Sequence, residues 1–348
     1  MIGVAIIGCG LVGVKRAEAM PPDLRVLVVY DIDSTKAAAL AARLEAAPRV
    51  ATSVDEALRT AGVELAIVAT IHRDLAPVTR AALEAGCNVL VEKPGGRNSS
   101  EAAEVSAAAS RAGRLVRVGF NHRFHPAVRR AKELVGAHDW GHLLHVRARY
   151  GQGGRVGYES EWRMKRDLSG GGELLDQGVH LIDLTRFLVG EASLVFAELR
   201  TDFWKADVED NAFLALRPEQ GGFAWLHASW TEWKNTFSFE LALRDAKVEI
   251  RGLGGSYGTE RLTVYEMSPE MGPPATTAWE FPQADTSWRL EIEDVVAAIE
   301  GRAAVGATIE DAVATLRIVD QAYAAELGPG RPQARFPTAS PSSPDGLD

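Results

Sequence analysis

The stretch Ile6-Ile7-Gly8-Cys9-Gly10-Leu11-Val12-Gly13-Val14 places a GxGxxG directly after an aliphatic run and ahead of a helical pattern. Each glycine has its own duty. Gly8 permits a tight turn, Gly10 lets main chain approach a pyrophosphate, and Gly13 allows the next helix to pack closely. That helix presents its N-terminus to phosphate charge. In this strand–turn–helix setting Gly8, Gly10, Leu11, Val12 and Gly13 are candidate dinucleotide contacts.

Asp31 ends the second aliphatic run, Val28-Val29-Tyr30-Asp31, at the distance such a loop requires. A carboxylate there accepts hydrogen bonds from ribose hydroxyls and repels a 2′-phosphate, so NAD is expected over NADP. Ile32 stands where an arginine would read that phosphate, while Lys36 nearby leaves NADP open.

Working outward, residues 1–120 alternate short aliphatic runs, at 3–7, 24–30, 63–69, 88–91 and 115–119, with Ala-rich helical stretches such as 34–45 and 74–85. Continuous apolar strands separated by helices describe a parallel sheet covered on both faces, a doubly wound Rossmann arrangement. From 121 to about 327 the grammar changes to alternating, aromatic-rich strands at 143–150, 194–201, 222–230, 236–243 and 247–251, interrupted by a helix over 173–188. That predicts a second, α+β domain with an open, largely antiparallel sheet. Trp204, Trp225, Trp230 and Trp233 fall here, most expected in the core and some at an oligomer interface. Helices are expected over 287–300 and 309–326, and the Pro/Ser/Gly-rich 328–348 reads as a disordered tail.

The chain has 348 residues and a net charge of −9, which argues against broad nucleic-acid or anionic-membrane binding. No apolar run nears the roughly 20 residues that cross a bilayer, and no signal-like opening is seen, so a cytoplasmic location is expected. Cys9 and Cys87 lie far apart without metal-ligand spacing, so neither a disulfide framework nor a metal site is indicated.

Chemistry gathers at three places. Thr70 and His72 follow the third strand, at the carboxyl edge where doubly wound folds bind ligands; His72 reads as a loop residue touching cofactor rather than as a catalytic one. The fourth strand runs into Glu92-Lys93-Pro94, where a lysine beside a nicotinamide can steady a developing alkoxide. Finally, Gly170-Gly171-Gly172-Glu173-Leu174-Leu175-Asp176-Gln177-Gly178-Val179-His180 sets a carboxylate and an imidazole one helical turn apart, a pairing suited to a general base.

The Gly8/Gly10/Gly13 loop, the Glu92-Lys93-Pro94 strand end and the Gly171-Gly172-x-x-x-Asp176-x-x-x-His180 segment occur together in this order in the Gfo/Idh/MocA oxidoreductases, which this chain resembles from residue 1 to about 326. The resemblance implies an NAD(P)-dependent dehydrogenase or reductase acting on a ring alcohol or ketone of a sugar, nucleotide sugar or cyclitol. It implies that Lys93 contacts the reacting oxygen, His180 moves the hydroxyl proton, and Asp176 positions substrate or His180. Asn121-His122-Arg123 resembles the family's interdomain Asn-x-Arg, and Trp162-Arg163 a pair that reaches cofactor or substrate. Asn121, Glu92, Lys93 and Arg163 join the cofactor candidates; Arg123, Tyr158 and Arg163 join Lys93, Asp176 and His180 as substrate candidates. Leu75 replaces a histidine frequent in relatives, and Gly95-Gly96 replaces bulkier residues.

A nucleotide-linked sugar is the first substrate expectation, because the glycine-rich loop 151–158 with Arg163, Lys165 and Arg166 offers donors for a diphosphate. A free sugar or inositol is the second. A relative that uses held NAD transiently to cleave glycosides, and a non-catalytic NAD-binding regulator, are further alternatives. The resemblance also implies a homodimer or homotetramer.

Overall fold

The computed structural model describes residues 1–326; the tail expected over 328–348 lies outside the described residues. The front half winds through β1 (Ile2–Ile7), α1 (Leu11–Glu18), β2 (Leu24–Tyr30), α2 (Ser34–Arg43), β3 (Arg49–Val50), α3 (Val54–Leu58), β4 (Val63–Val68), α4 (His72–Glu84), β5 (Asn88–Glu92), α5 (Ser99–Ala112) and β6 (Val116–Gly119). These six strands form a wholly parallel sheet in the order β3-β2-β1-β4-β5-β6. Strands β1, β4 and β5 are almost fully buried, as their unbroken Val, Ile, Leu and Ala runs require of a sheet covered on both faces. The strand order reverses between β1 and β4. The loops leaving those two strands therefore flank the crevice in which such sheets receive ligands.

The rear half contains α6 (Pro126–Ala137), β7 (Leu143–Gly151), the short α7 (Arg166–Ser169), α8 (Val179–Val189), β8 (Ala192–Arg200), β9 (Asn211–Pro218), β10 (Phe223–Ser229), β11 (Thr236–Leu243), β12 (Ala246–Arg251), β13 (Glu260–Glu266) and β14 (Ala275–Phe281). The eight strands pair in the order β14-β13-β12-β11-β7-β10-β9-β8, antiparallel throughout except for parallel β7 and β10. In β11 buried and partly exposed residues alternate strictly, so one sheet face lies in the core with α6 and α8 against it. Trp230 is buried in a separate small cluster with Tyr158, Met164 and Val208, whereas Trp225 and Trp233 are exposed. Strands β3, β9, β13 and β14 were not anticipated. β14 is an edge strand with little burial, and β3 has two residues, so neither leaves an apolar period in the sequence.

After β14 the chain returns to the front sheet as α9 (Ser287–Ile299) and α10 (Ile309–Glu326). Ile292, Val295 and Val296 of α9 pack among Val4, Ile6, Leu65, Ile67 and Leu90. An ion cluster pins this return. Arg16 of α1, fully buried, meets Glu92 and Glu291, each at 2.6 Å. α10 runs along α5.

Candidate active site

At the end of β1, Gly8 has φ of +97°, a left-handed conformation that glycine alone adopts freely. A Cβ on Gly13 would run into the carbonyl oxygen of Gly8, whereas a Cβ on Gly10 meets nothing within 4 Å. The loop is thus tight where helix meets strand and open at the central glycine. Leu11 is exposed beside that opening, and Val12 follows it at the start of α1. Asp31 is held by two main-chain donors, Cys9 N–H at 2.7 Å and Asp33 N–H at 2.8 Å. An open main-chain cradle at a helix N-terminus with a fixed carboxylate at the neighbouring strand end fits a dinucleotide. Gly8, Gly10, Leu11, Val12, Gly13 and Asp31 would hold it, and Thr70 lies at the adjoining end of β4.

Lys93 leaves β5 on the same sheet edge, next to a cis Pro94. Its Nζ donates to Oδ1 and to the carbonyl oxygen of Asp176, both at 2.6 Å. Oδ2 of Asp176 is 3.2 Å from Nε of Arg163. Burial pushes the Asp176 carboxyl up, but the Lys93 and Arg163 cations outweigh it and hold it well below the usual carboxylate range. The carboxylate therefore stays ionised throughout the physiological pH range.

The segment carrying Asp176 is not the regular helix expected over 173–188. Leu174–Gly178 forms a π-type turn before α8 begins at Val179. The wider turn changes how Asp176 and His180 are placed, and no hydrogen bond joins them. Instead the His180 ring stacks on His122, centroids 3.7 Å apart and planes 15° from parallel, with Phe120 edge-on at 5.7 Å. Nδ1 of His180 is buried without a partner, which leaves Nε2 to meet a ligand. Burial first, then the Lys93 cation, lowers the His180 pKa well below normal, with Asp176 opposing; His180 is neutral at pH 7.

The glycine run is explained by close approach. Gly171 abuts the Tyr323 hydroxyl and Gly172 the main chain of Glu209, leaving no room for a Cβ. Glu209 Oε1 accepts from Gly172 N–H at 3.0 Å, Leu174 N–H at 3.1 Å and the Tyr323 hydroxyl at 2.8 Å. This seat aims the π turn at Lys93.

His72, at the start of α4, donates from Nδ1 to the Ser169 carbonyl oxygen, 2.9 Å away, and packs edge-on against Trp162. Burial and then the Lys93 cation push its pKa down to about 3, so it is a neutral wall of the site. Tyr158 is buried, and the Asp176 and Glu173 carboxyls, after burial, raise its phenol. The structure thus brings together Lys93, Asp176, His180, Arg163, His72 and Tyr158.

Three candidates are turned elsewhere. Arg123 grips Asp183 with two nitrogens, at 2.6 and 2.9 Å, and reaches Asp311 at 3.2 Å; this buried fork is structural, which corrects its assignment to substrate. One Glu92 carboxylate oxygen accepts from Arg16 Nε at 2.6 Å, which ties this cofactor candidate to the buried ion cluster. The Asn121 amide bonds Ser287 Oγ at 2.9 Å and the His122 ring at 3.1 Å, and so faces protein rather than cofactor.

Sequence reasoning missed two residues. Glu173 is completely buried with neither carboxyl oxygen bonded; burial first, then the Asp176 charge, raise its pKa well above normal. An acidic residue between a glycine run and an apolar run was the available signal. His122 lay unremarked inside Asn-x-Arg.

Residues 2–120 match a family profile described as oxidoreductase family, NAD-binding Rossmann fold, and residues 128–257 match the GFO/IDH/MocA C-terminal domain. Levoglucosan dehydrogenase of Pseudarthrobacter phenanthrenivorans is 30% identical over 232 residues, 64% of this chain. The match spans only 60% of that relative's length. A putative UDP-kanosamine synthase oxidoreductase subunit of Amycolatopsis mediterranei is 29% identical over 78% of each chain. Among solved structures, GenD2 from gentamicin A biosynthesis, in complex with NAD, superposes with a TM-score of 0.80 at 27% identity, covering 94% of both chains.

Proposed function

This chain belongs to the GFO/IDH/MocA oxidoreductase family, and from that premise we propose that it is an NAD(P)-dependent dehydrogenase or reductase acting on a ring carbinol or ketone of a carbohydrate. The observation that carries the reading is the meeting of Lys93, from the front sheet, with Asp176 and His180, from the rear half, at the edge of the nucleotide crevice. The nicotinamide, when bound, supplies the hydride acceptor or donor.

The protein's own groups do the rest. Two of the three Lys93 N–H donors are held by Asp176, which leaves the third to donate to the reacting oxygen and stabilise alkoxide charge. Neutral His180 takes or returns the hydroxyl proton at Nε2. Asp176 locks Lys93 and Arg163 in register, and Asp31 favours NAD through the ribose hydroxyls.

A nucleotide-linked sugar is the first substrate class, supported by the loop carrying Arg155 and Tyr158 beside the site and by the Amycolatopsis relative. A free sugar or cyclitol is the second. It is favoured by Arg163, whose guanidinium is engaged by Asp176 and Glu161 rather than open to phosphate, and by the levoglucosan relative. The same reading extends to a homodimer or homotetramer paired through the outer face of the rear sheet, where Trp225 stacks near Phe196 and Phe213.

A steady-state panel of UDP- and dTDP-sugars, hexoses, anhydrosugars and myo-inositol, read as reduced nicotinamide formed, tests the proposal. Turnover of at least one ring alcohol, abolished in Lys93→Ala and His180→Ala, is the expected result. NAD binding with no turnover across the panel would leave a nucleotide-sensing protein instead.

A further inference from the structure

The base proposed above lacks the device that usually fixes a catalytic imidazole, a hydrogen bond from its second nitrogen to a carboxylate or carbonyl. Both carboxylate oxygens of Asp176 belong to Lys93 and Arg163, and His180 Nδ1 has no partner among the described residues. Aromatic contact holds the ring instead: His122 against its face, Phe120 edge-on and Tyr150 at 6.2 Å.

His122 is itself anchored. Asn121 Nδ2 donates to Ser287 Oγ, so the Asn121 oxygen is the acceptor for the His122 ring 3.1 Å away. That fixes the proton of His122 on Nδ1. Its Nε2 is then a bare lone pair, buried without a partner, and the ring is neutral. The line Ser287–Asn121–His122–His180 thus runs from the start of α9, packed on the front sheet, to the proton-moving group of the rear half.

We propose that His122 is a positioning residue for His180: its neutral ring, stacked at 3.7 Å, sets the plane of the base and shields that face of it from solvent. The stack also excludes water from His180 Nδ1, which keeps the resting base unprotonated. The groups facing His180 are Lys93 from the end of β5, Asp176 from the π turn, His122 and His125 from the turn after β6, and Tyr150 from β7. Of these, only His122 covers the ring face.

The inference rests on the reading of His180 as base, and its first test needs no substrate. In full-length protein with ring-labelled histidine, the His180 signal, assigned through His180→Gln, is followed by NMR against pH. In the wild type its midpoint is expected well below that of a free histidine. In His122→Ala it is expected to titrate at least about one unit higher, toward the free histidine value near 6.5. In His122→Phe, which keeps the flat ring, it should remain neutral.

With a substrate in hand, His122→Ala should lower kcat by about 10- to 100-fold while KM and NAD affinity stay within about twofold, and His122→Phe should recover most of the rate. An Asn121→Ala variant, which frees the His122 ring while keeping the stack's atoms, covers the case in which His122→Ala does not fold; it should raise the His180 midpoint. Identical His180 titration in the wild type and the Ala variants, or no recovery by Phe, overturns the proposal. Full turnover in His180→Gln would instead overturn the reading of His180 as base, and the NMR comparison would still decide the role of the stack.

Discussion

The ammonium nitrogen of Lys93 lies 2.6 Å from both the carboxylate and the main-chain carbonyl of Asp176, so one side chain of the front sheet closes two bonds to the rear half. A single cation thereby sets the approach of the two parts of the site.

Lys93→Met is expected to lower kcat by about a hundredfold or more, since it removes the donor to the reacting oxygen. NAD affinity, measured by calorimetry, should change by less than about twofold. Asp176→Asn keeps the shape but strips Lys93 of its counter-charge and leaves Arg163 only Glu161, in a mostly buried setting, and should lower stability in urea by about 3 kcal/mol. Equal weakening of NAD by Lys93→Met, or an unchanged urea midpoint in Asp176→Asn, would contradict this arrangement.

Gly10 and Gly13 should separate folding from nucleotide binding. Space around a Gly10 Cβ is open, so Gly10→Ala is expected to keep the wild-type Tm and lose NAD affinity by tenfold or so, about 1.4 kcal/mol. Gly13→Ala forces α1 away from Gly8 and should lower Tm as well. Thermal melts with and without NAD distinguish the two; a Gly10→Ala protein that binds NAD normally would remove the cradle.

Glu291 predicts a pH dependence of stability. Burial, opposed by Arg16 and reinforced by the Glu92 charge, pushes it up to about 7 from an ordinary 4.5. Between these values the folded protein holds a proton that the unfolded chain has lost, so stability falls as pH rises, by about 3 kcal/mol in all at 1.36 kcal/mol per unit. Glu291→Gln cannot ionise. Relative to the wild type it should gain stability from pH 4.5 to 7 and then run parallel; a constant offset in urea unfolding across that range would refute the assignment.

Both thiols should be inert in the native protein. Burial, and then the Asp31 carboxylate, push Cys9 up to about 12, and burial raises Cys87. Neither is a thiolate at pH 8. Titration with Ellman's reagent is expected to find almost no fast-reacting thiol until denaturant is added, when two appear; a rapidly reacting native thiol would show that the loop after β1 opens.

The parallel sheet was legible because its strands are aliphatic runs between helices, and Asp31 stood where the second one ends. The rear sheet was half legible: β11 and β7 alternate, but β14 buries too little to leave a period. Lys93 meeting Asp176 could be anticipated only from the family resemblance, since 83 residues separate them. The Asp176–His180 relation was misread for a physical reason: spacing of four implies contact on a regular helix, and the π turn together with two competing cations removes it. Arg123 looked like a ligand-facing arginine because its partners Asp183 and Asp311 lie 60 and 188 positions away.

The return of the chain through α9 and α10 bears on how the molecule could be re-engineered. A graft that swapped coenzyme modules between relatives by cutting once, after β6, would strip Ile292, Val295 and Val296 from the face they shield and take Glu291 from the buried Arg16 guanidinium. Both the opening 120 residues and the closing helices would have to travel together, like a clasp whose two halves were cast at opposite ends of the same strap.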